Sequence, residues 1–298
     1  MTNIFSDLNI PGNRILCKEP LKSHTSFGIG GCADYFIYVS DLKALSATVK
    51  YLNENSVPYM VIGDGTNLLV SDHNINKVFI KLEGDFKKTE WNGSFITAGS
   101  AVRLSEITAE TLAKGFGGLE KIGSVPGSVG GAAVMNAGVR TSDFSAHIHE
   151  VRVMDKQGNQ ITLPKEKCGY SYRESIFQYT DNFIITHATF SLIECNTAPL
   201  KKLLSESIAK RQENQPKGKS AGCFFKNTDG QSSGQLIEQC GLKNYRINGA
   251  YVSEKHANFI MNDGTATAED VLALANFIKK TVKEKKNKDL VFEVRIID

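Results

Sequence analysis

VIGDGTNLLVSD, residues 61–72, and IGSVPGSVGGAAVMNAG, residues 122–138, are the two glycine-rich stretches from which the architecture can be inferred. The second belongs to a segment with eight glycines between Gly115 and Gly138. Because glycine has no Cβ, such a backbone can approach a ligand closely, and successive N–H groups in its turns can bind a pyrophosphate. Tight turns between packed strands are the alternative, which glycine content by itself favours. We interpret both stretches as loops.

Two shorter motifs fail as nucleotide-binding signals. GIGGCA, at residues 28–33, formally matches the dinucleotide fingerprint, but that fingerprint needs a strand before it and a helix after it, and here a strand follows. KGKS, at residues 217–220, resembles part of a P-loop, but the earlier glycine that the P-loop requires falls on Glu213. Neither motif predicts a phosphate site on its own.

The sequence around the first stretch alternates strands and helices. A helical stripe of Leu42, Leu45, Val49 and Leu52, with Ser40 or Asp41 as its cap, lies between apolar runs at 33–39 and 57–63 and predicts a β-α-β unit. Further elements of the first half are strands at 78–82, 94–98 and 183–192, a helix at 103–114, and a hairpin at 149–163 that turns at Gly158.

The composition changes near residues 195–200, which predicts a domain boundary there. We expect a first domain at 1–196, with lobes at about 20–83 and 84–196, and a second at 197–298. The second half contains predicted helices at 198–213, 233–240 and 267–286, and predicted strands at 223–226, 249–252 and 258–261. The final LVFEVRIID predicts a strand with Glu293 and Arg295 on one face and Phe292 and Val294 on the other.

Composition excludes several classes of protein. The chain has 298 residues, of which 41% are hydrophobic and 22% charged, as expected of a soluble globular protein. A net charge of +3 does not require a nucleic-acid partner, and no apolar run is long enough to span a membrane. The first residues show no signal peptide. The six cysteines form no CxxC pair and the histidines have no metal-ligand spacing, so we expect reduced thiols in the cytoplasm and no metal.

Seven motifs, in order, resemble those of the UDP-N-acetylenolpyruvoylglucosamine reductase family. They are SFGIGGCADYFI, VIGDGTNLLVSD, GGLEKIGSVPGSVGGAAVMNAG, GYSYRESIF, SAGCFFKN, GLKNYRINGAYVSEKHANFIMN and the terminal FEVR. The resemblance covers about residues 20–298. It implies an α+β fold, with an FAD-binding domain of the vanillyl-alcohol-oxidase type and a smaller α/β substrate-binding domain.

The resemblance also implies a function. Members of the family bind FAD, use NADPH as co-substrate and reduce an enolpyruvyl nucleotide sugar to UDP-N-acetylmuramate for peptidoglycan. It implies a small-molecule partner, and no nucleic acid, membrane or protein partner. The 50 residues from Arg173 to Cys223 are similar to the shorter family type, which lacks a tyrosine-bearing loop. Three positions depart from the family pattern: Cys223 replaces a usual serine, Thr228 a usual proline, and Asp64 stands in a usual Gly-Gly-Gly turn.

The motifs assign catalytic roles to three residues. Arg173 is expected to bind the substrate carboxylate with its guanidinium fork, although most arginines lie on the surface. Glu293 is expected to be protonated and to donate a hydrogen bond, and a salt bridge to Lys288 or Arg295 is the alternative. Cys223 is expected to give a proton to the substrate carbon, because thiols are stronger acids than hydroxyls. A small buried thiol that packs beside Phe224 is the alternative for Cys223.

The motifs also assign binding residues. Substrate contacts are expected from Tyr172, Lys226 and Asn227, although solvent exposure alone would explain Lys226. Lys255 and His256 lie in a motif near the substrate but are interpreted as ordinary exposed residues. FAD contacts, mainly through backbone N–H groups, are expected from Gly63, Asp64, Gly65, Thr66, Asn67 and Leu68, and from Gly123, Ser124, Pro126, Gly127, Ser128, Gly131 and Ala132.

Two other functions compete with this one. Another flavoenzyme of the same fold, such as an alcohol or hydroxy-acid oxidase, would explain the glycine stretches but not Arg173, SAGCFFKN and Glu293 together. A nucleotide-sugar-binding protein without flavin would be colourless and would remain so after FAD is added.

Overall fold

A computed structural model describes residues 7–228 and 230–298 of the chain. The helices of this part are α1 (Leu42–Glu54), α2 (Leu104–Ala113), α3 (Val129–Met135), α4 (Ala198–Asn214), α5 (Ser233–Gln239) and α6 (Ala268–Lys286). Its strands are β1 (Asn13–Pro20), β2 (Cys32–Val39), β3 (Tyr59–Val61), β4 (Leu68–Val70), β5 (Ile75–Leu82), β6 (Thr89–Asn92), β7 (Phe95–Gly99), β8 (Phe116–Gly117), β9 (Gly138–Val139), β10 (Ser142–Asp143), β11 (Ile148–Asp155), β12 (Gln160–Pro164), β13 (Phe183–Ser191), β14 (Ile193–Glu194), β15 (Arg246–Ile247), β16 (Ala250–Val252), β17 (Ile260–Asn262) and β18 (Arg295–Ile297).

The chain forms two compact units. Unit 1 comprises the described residues of Met1–Cys17, with Tyr35–Gly63 and Lys77–Ala209. Unit 2 comprises Lys18–Asp34, Asp64–Asn76 and the described residues of Lys210–Asp298. The limits of the two functional domains, 1–196 and 197–298, stay a prediction.

A five-stranded sheet in the order β12-β11-β13-β7-β6 organises much of unit 1. All its pairings are antiparallel, which short hairpin connections allow. Its inward side chains, such as Ile96 and Phe190, share one hydrophobic core with Ile107 of α2 and Ala133 of α3. The sheet therefore supports the glycine-rich segment that contains α3.

A second part of unit 1 is built around α1. Asp41 caps this helix by accepting the N–H of Ala44 at 2.8 Å, and the stripe of Leu45, Val49 and Leu52 is fully buried. That stripe recurs at the helical period, so one face packs inward while the other stays in water. The predicted cap and helix are confirmed. The neighbouring sheet has the strand order β1-β2-β5-β3, with β3 and β5 parallel.

Unit 2 packs α5 and α6 with a three-stranded antiparallel sheet of β15, β16 and β17. Helix α6 starts with a capping box between Thr267 and Asp270 and buries Val271, Leu274 and Ile278. A separate parallel pair joins β4 to β18, with Leu68 opposite Arg295. This pair brings the second half of the first glycine stretch next to the C-terminal residues.

The predicted hairpin at 149–163 is confirmed as β11 and β12, which turn at Gly158 with φ of 75°. Three other predictions were wrong. The dense-glycine segment is not all loop, because Ser128 caps α3 within it. Residues 223–226 form no strand, since Cys223 and Phe225 make only isolated bridges to Phe259 and Phe292. The C-terminal strand begins at Arg295, so Glu293 precedes it.

Candidate active site

The two glycine-rich stretches meet in unit 1 at Gly63 and Ser128. A Cβ at Gly63 would lie 2.8 Å from the Oγ of Ser128, closer than van der Waals contact permits. Ser128 itself is buried and caps α3, where its Oγ accepts the N–H of Gly131 at 3.3 Å. The close approach that glycine was expected to allow is therefore present between the stretches themselves.

The N–H groups of the second stretch are only partly available for a ligand. Val129 and Gly130 donate to the carbonyls of Val102 and Ser100, each at 2.8 Å, and Gly131 donates to Ser128. Since each N–H carries one proton, these three are already used. Three N–H groups of the stretch have no acceptor among the described residues: those of Ser124, Gly127 and Ser128. The predicted cradle of N–H groups at Gly123–Gly131 therefore has fewer available donors, because the start of α3 uses three of them.

The first stretch has its own set of donors, within unit 2. Gly65 adopts φ of 63°, and a Cβ there would overlap the carbonyl oxygen of His24. Glycine is thus required at this turn. The N–H groups of Gly65, Thr66 and Asn67 find no acceptor in the described part of the chain. Backbone N–H groups in such a turn suit an anionic group, so this loop fits the diphosphate of a dinucleotide cofactor.

Arg173 is held at the carboxyl end of α3. Its two terminal nitrogens donate to the carbonyls of Gly138 at 2.7 Å and Asn136 at 3.4 Å. The negative end of the helix dipole favours a cation at this place. Arg173 also has φ of 57°, which is unusual for a residue with a side chain and costs about 1–2 kcal/mol. Such strained residues cluster at functional sites.

The loop that carries Arg173 is fixed by polar side chains that the sequence analysis did not identify. Asn136, 1% exposed, donates to the carbonyl of Ser171 at 2.7 Å. Ser175 and Gln178 both donate to the carbonyl of Val134, and Gln178 also donates to that of Arg173 at 2.9 Å. Asn136 is buried just after a short helix, in left-handed conformation. In the sequence, the asparagine within VMNAG was the signal that could have identified it.

Tyr172 differs from Arg173 in its exposure. Its side chain is 51% exposed, and its ring centroid lies 5.3 Å from the Cζ of Arg173. The guanidinium and the ring are thus close enough for a cation–π contact. An exposed aromatic ring beside a fixed cation suits a ligand with an anionic and an apolar part.

Burial determines the protonation of a tyrosine just before this loop. Tyr170 packs against Phe144 and Phe177, and burial raises the pKa of its hydroxyl. Burial likewise raises the pKa of the nearby Cys168 thiol to about 11. Both groups are therefore neutral at physiological pH.

The Cys223 segment lies in unit 2 and is fixed by Asn258. This asparagine is 3% exposed; its side chain accepts the N–H of Phe225 at 2.9 Å and donates to the carbonyl of Phe225 at 2.8 Å. Its own carbonyl accepts the N–H of Phe224 at 2.7 Å. Phe224 and Phe225 are buried, whereas Cys223 is half-buried, unlike the buried Cys168.

Glu293 is joined through its backbone to two other predicted site segments. Its N–H donates to the carbonyl of Phe224 at 2.9 Å, and its carbonyl accepts from Nδ2 of Asn67 at 3.0 Å. Arg295 then donates its N–H to the carbonyl of Asn67 at 3.0 Å. Unit 2 therefore brings the first glycine stretch, the Cys223 segment and Glu293 together in one hydrogen-bonded assembly.

Lys226 and Asn227 continue from Phe225 towards the start of α5. The N–H of Lys226 donates to the carbonyl of Val291 at 2.8 Å. Asn227 accepts the N–H of Ser233 at 3.1 Å, and the hydroxyl of Ser233 donates to the carbonyl of Lys226. Asn227 thus has a structural role at the helix start, in addition to any contact with substrate.

In the SEKHANF motif, one of the two residues that were interpreted as exposed is half-buried. Lys255 is exposed, as expected, and donates to the carbonyl of Gln212 at 3.0 Å. His256 is not exposed but half-buried, with its ring 4.9 Å from that of Phe259. Burial lowers the pKa of His256, so its ring is neutral at physiological pH. Its contact with Phe259, three residues later in the same motif, contributes to this burial.

Two further properties of the described residues bear on the type of site. In residues 7–228 and 230–298, no helix is both long and apolar enough to cross a membrane. Within the same ranges, histidine, cysteine and carboxylate side chains form no group of three or more that could hold a metal ion.

Comparison with known proteins identifies the family. Residues 214–297 match the UDP-N-acetylenolpyruvoylglucosamine reductase C-terminal domain, and residues 33–164 match an FAD binding domain. The chain is 41% identical over 296 residues to UDP-N-acetylenolpyruvoylglucosamine reductase of Clostridium botulinum (strain Hall), a match that covers 98% of this chain and 95% of the relative. It is 39% identical over 289 residues to the reductase of Lachnoclostridium phytofermentans, covering 95% and 93%.

A solved structure supports the same assignment. The crystal structure of UDP-N-acetylenolpyruvylglucosamine reductase (MurB) from Thermus caldophilus matches with a TM-score of 0.82 and 33% identity, over 96% of this chain and 99% of that one. The predicted α+β fold with an FAD-binding domain is confirmed, as are the predicted FAD cofactor and the oxidoreductase class. The chain belongs to the UDP-N-acetylenolpyruvoylglucosamine reductase family.

Proposed function

We propose that this protein reduces UDP-N-acetylglucosamine enolpyruvate to UDP-N-acetylmuramate with NADPH and bound FAD, in the cytoplasm, as a step towards peptidoglycan. The observation that carries the proposal is the hydrogen-bonded assembly of Asn67, Phe224 and Glu293 in unit 2. It joins a loop suited to the cofactor with the two segments that would handle the proton. A flavin-dependent reduction of a carbon–carbon double bond needs both.

The glycine stretches would hold FAD through the N–H groups of Gly65, Thr66 and Asn67 in unit 2, and of Ser124, Gly127 and Ser128 in unit 1. Glycine is needed in the first stretch because a side chain at Gly63 or Gly65 would collide with Ser128 or His24. When bound, FAD would supply the hydride-transfer chemistry between NADPH and the vinyl carbon of the substrate. The remaining contributions come from the side chains of this chain.

Arg173 would bind the carboxylate of the enolpyruvyl group. Negative charge grows on that carboxylate and on the adjacent carbon as the vinyl carbon accepts hydride, so a fixed cation lowers the barrier. Arg173 has five N–H donors, and the carbonyls of Asn136 and Gly138 hold its orientation. A guanidinium fixed in this way can present its donors without losing further conformational freedom.

Cys223 would donate the proton that completes the reduction. The carbon that carries the negative charge must be protonated by a donor within hydrogen-bond reach. A half-buried thiol can reach a ligand, whereas the buried Cys168 has its pKa raised to about 11 and is inert. Gly222, with φ of 78°, sets the direction of the backbone just before Cys223.

Glu293 would donate a hydrogen bond to the developing carboxylate dianion, and for this it must be protonated. Its backbone is held on both sides, by Phe224 and by Asn67. A carboxyl group held next to a second, negatively charged carboxylate favours its protonated form. Tyr172 and Lys226 would contact the rest of the nucleotide sugar, the first through its exposed ring and the second through its ammonium group.

One assay tests the proposal and its competitors. We expect purified protein to be yellow and to oxidise NADPH only when the enolpyruvyl nucleotide sugar is present. Turnover of simple alcohols or hydroxy acids, without the nucleotide sugar, would instead indicate an oxidase of the same fold. Protein that stays colourless after FAD is added would be a nucleotide-sugar-binding protein without flavin, and the proposal would be wrong.

A further inference from the structure

Lys219 lies beside the first glycine stretch, in a motif that predicted no phosphate site by itself. We propose that Lys219 binds a diphosphate, and that this diphosphate is the one of FAD. The inference rests on the proposed flavin-dependent function. It concerns a residue outside the glycine stretches and outside the groups that handle the proton.

The side chain of Lys219 lies extended along Gly28. An ideal Cβ on Gly28 would be 2.9 Å from Cδ of Lys219, 3.2 Å from its Cε and 3.5 Å from its Nζ. Only a residue without a side chain lets the lysine pass this closely, and Gly28 also has φ of 66°. The motifs GIGGCA and KGKS, which fail separately as phosphate loops, are therefore in contact through Gly28 and Lys219.

The turn that contains Gly28 rests on the Gly65 loop. The N–H of Gly28 donates to the carbonyl of Thr25, and the Cα of Thr25 lies 2.9 Å from the position of a Cβ on Gly65. Ser26 donates its N–H to the carbonyl of Gly65 at 3.1 Å, and its hydroxyl donates to the carbonyl of Ser220 at 2.7 Å. The turn at 25–28 therefore connects the Gly65 loop, whose N–H groups have no acceptor among the described residues, to the segment that carries Lys219.

A buried asparagine holds this arrangement in place. Asn262 is 6% exposed and donates its N–H to the carbonyl of Lys219 at 3.0 Å. Its side-chain amide donates to the carbonyl of Phe27 at 2.9 Å. The backbone of Lys219 and the turn at 25–28 are therefore bonded to the same residue, which fixes the backbone of the lysine relative to the turn that contacts the Gly65 loop.

The charges around the loop call for a cation. A diphosphate carries two negative charges, while the N–H groups of Gly65, Thr66 and Asn67 are neutral donors. His24, whose carbonyl lies next to Gly65, has its ring engaged with Glu19 at 2.8 Å. Lysine binds phosphates as a point charge, and Lys219 is exposed. We favour FAD over the UDP group of the substrate because the lysine segment is bonded to the loop that suits the cofactor.

The test compares Lys219→Ala with Lys217→Ala, a matched control two residues away on the same exposed segment. Flavin release from the diluted holoenzyme is followed by FAD fluorescence, at low and high KCl. We expect the FAD dissociation constant of Lys219→Ala to rise roughly tenfold at low salt, because a charge-assisted hydrogen bond is lost. The difference should shrink at high salt, which screens the charge. Lys217→Ala should match the parent protein, and Lys219→Arg should restore most of the affinity.

A second arm identifies the diphosphate. Binding of UDP alone to FAD-saturated protein is measured from the change in the flavin spectrum. Weaker UDP binding in Lys219→Ala, with FAD affinity unchanged, would support the diphosphate site but assign it to the substrate. No difference between Lys219→Ala and Lys217→Ala in either arm would overturn the proposal. Neither FAD release nor UDP binding requires turnover. A parent protein that fails to oxidise NADPH with the nucleotide sugar would therefore contradict the proposed function but leave the test of Lys219 valid.

Discussion

Asn258 is the residue on which the position of Cys223 depends most directly, and its replacement by alanine should be costly. Its side chain makes two hydrogen bonds to the backbone of Phe225, at 2.9 and 2.8 Å, and Phe225 is 1% exposed. Without that side chain, one buried N–H and one buried carbonyl lose their partners. Each orphaned group costs about 1–3 kcal/mol, so we expect Asn258→Ala to lower the free energy of unfolding by about 2–6 kcal/mol.

Two variants calibrate this value. Asn258→Asp keeps an acceptor for the N–H of Phe225 but buries a carboxylate that faces the Phe225 carbonyl, so a loss at least as large as that of Asn258→Ala is expected. Asn214→Ala removes a side-chain hydrogen bond to the carbonyl of Lys210 at an exposed helix end, and less than about 0.5 kcal/mol is expected. Urea unfolding, followed by circular dichroism, provides the comparison. The reasoning is refuted when Asn258→Ala unfolds at the same urea concentration as Asn214→Ala.

The other predictions concern catalysis and pH. Cys223→Ala should accept hydride from NADPH normally but pass it to substrate roughly 10²–10⁴-fold more slowly in stopped-flow measurements, and parental turnover would exclude the thiol as donor. Glu293→Gln should slow the same half-reaction and leave flavin reduction unchanged; an equal loss in both would contradict its role. Arg173→Lys should lose roughly tenfold or more in kcat/KM, about 1.4 kcal/mol, because an ammonium group cannot form a fork. Burial lowers the pKa of His187 and His256, so the unfolded chain binds more protons below pH 6.5 and stability should fall from pH 7 to pH 5. Urea midpoints that are equal at the two pH values would contradict the last prediction.

Elements with a local signal could be predicted from the sequence. Helix α1 has an apolar stripe at the helical period and a predicted cap in Asp41, and α6, observed at Ala268–Lys286, was predicted at 267–286. Helix α3 has no such stripe. Its glycines indicated a loop, and its start depends on Ser128 and on close packing of Gly130 against Ser100, which are tertiary contacts.

The predicted strand at 223–226 failed for a related reason. Its short apolar run of Cys223, Phe224 and Phe225 was compatible with a strand, but the N–H groups of the two phenylalanines donate to the backbone and the side chain of one asparagine, 34 and 33 residues away. Nothing in the local pattern specifies such a partner. A strand needs a neighbouring strand in register, and here a single buried side chain takes its place.

In the candidate site, too, some residues could be assigned from the sequence and others could not. Arg173, Cys223 and Glu293 were assigned by resemblance to a family, since each is an ordinary residue type without a local signature. Asn136 and Asn258, which hold their segments, were not identified. Both are asparagines in apolar surroundings, in VMNAG and HANFI, and a polar residue within such a run is unlikely to be buried without hydrogen-bond partners. That rule would have identified both asparagines as structural residues, but it could not have shown which segments they hold.

The backbone of Asn67 connects cofactor binding to proton handling in unit 2. Its carbonyl accepts from Arg295 and its side chain donates to the carbonyl of Glu293, while the N–H of Glu293 bonds to Phe224, the residue after Cys223. These bonds join different segments of the chain. The Asn67 loop is thus bonded to Glu293 directly, through the Asn67 side chain, and to Arg295, two residues later, through the Asn67 carbonyl. The loop that fits the diphosphate and the groups that would protonate the substrate are thereby held in one frame. Their geometry can then remain fixed even though Cys223 and Glu293 are only half-buried and lie on segments without regular secondary structure.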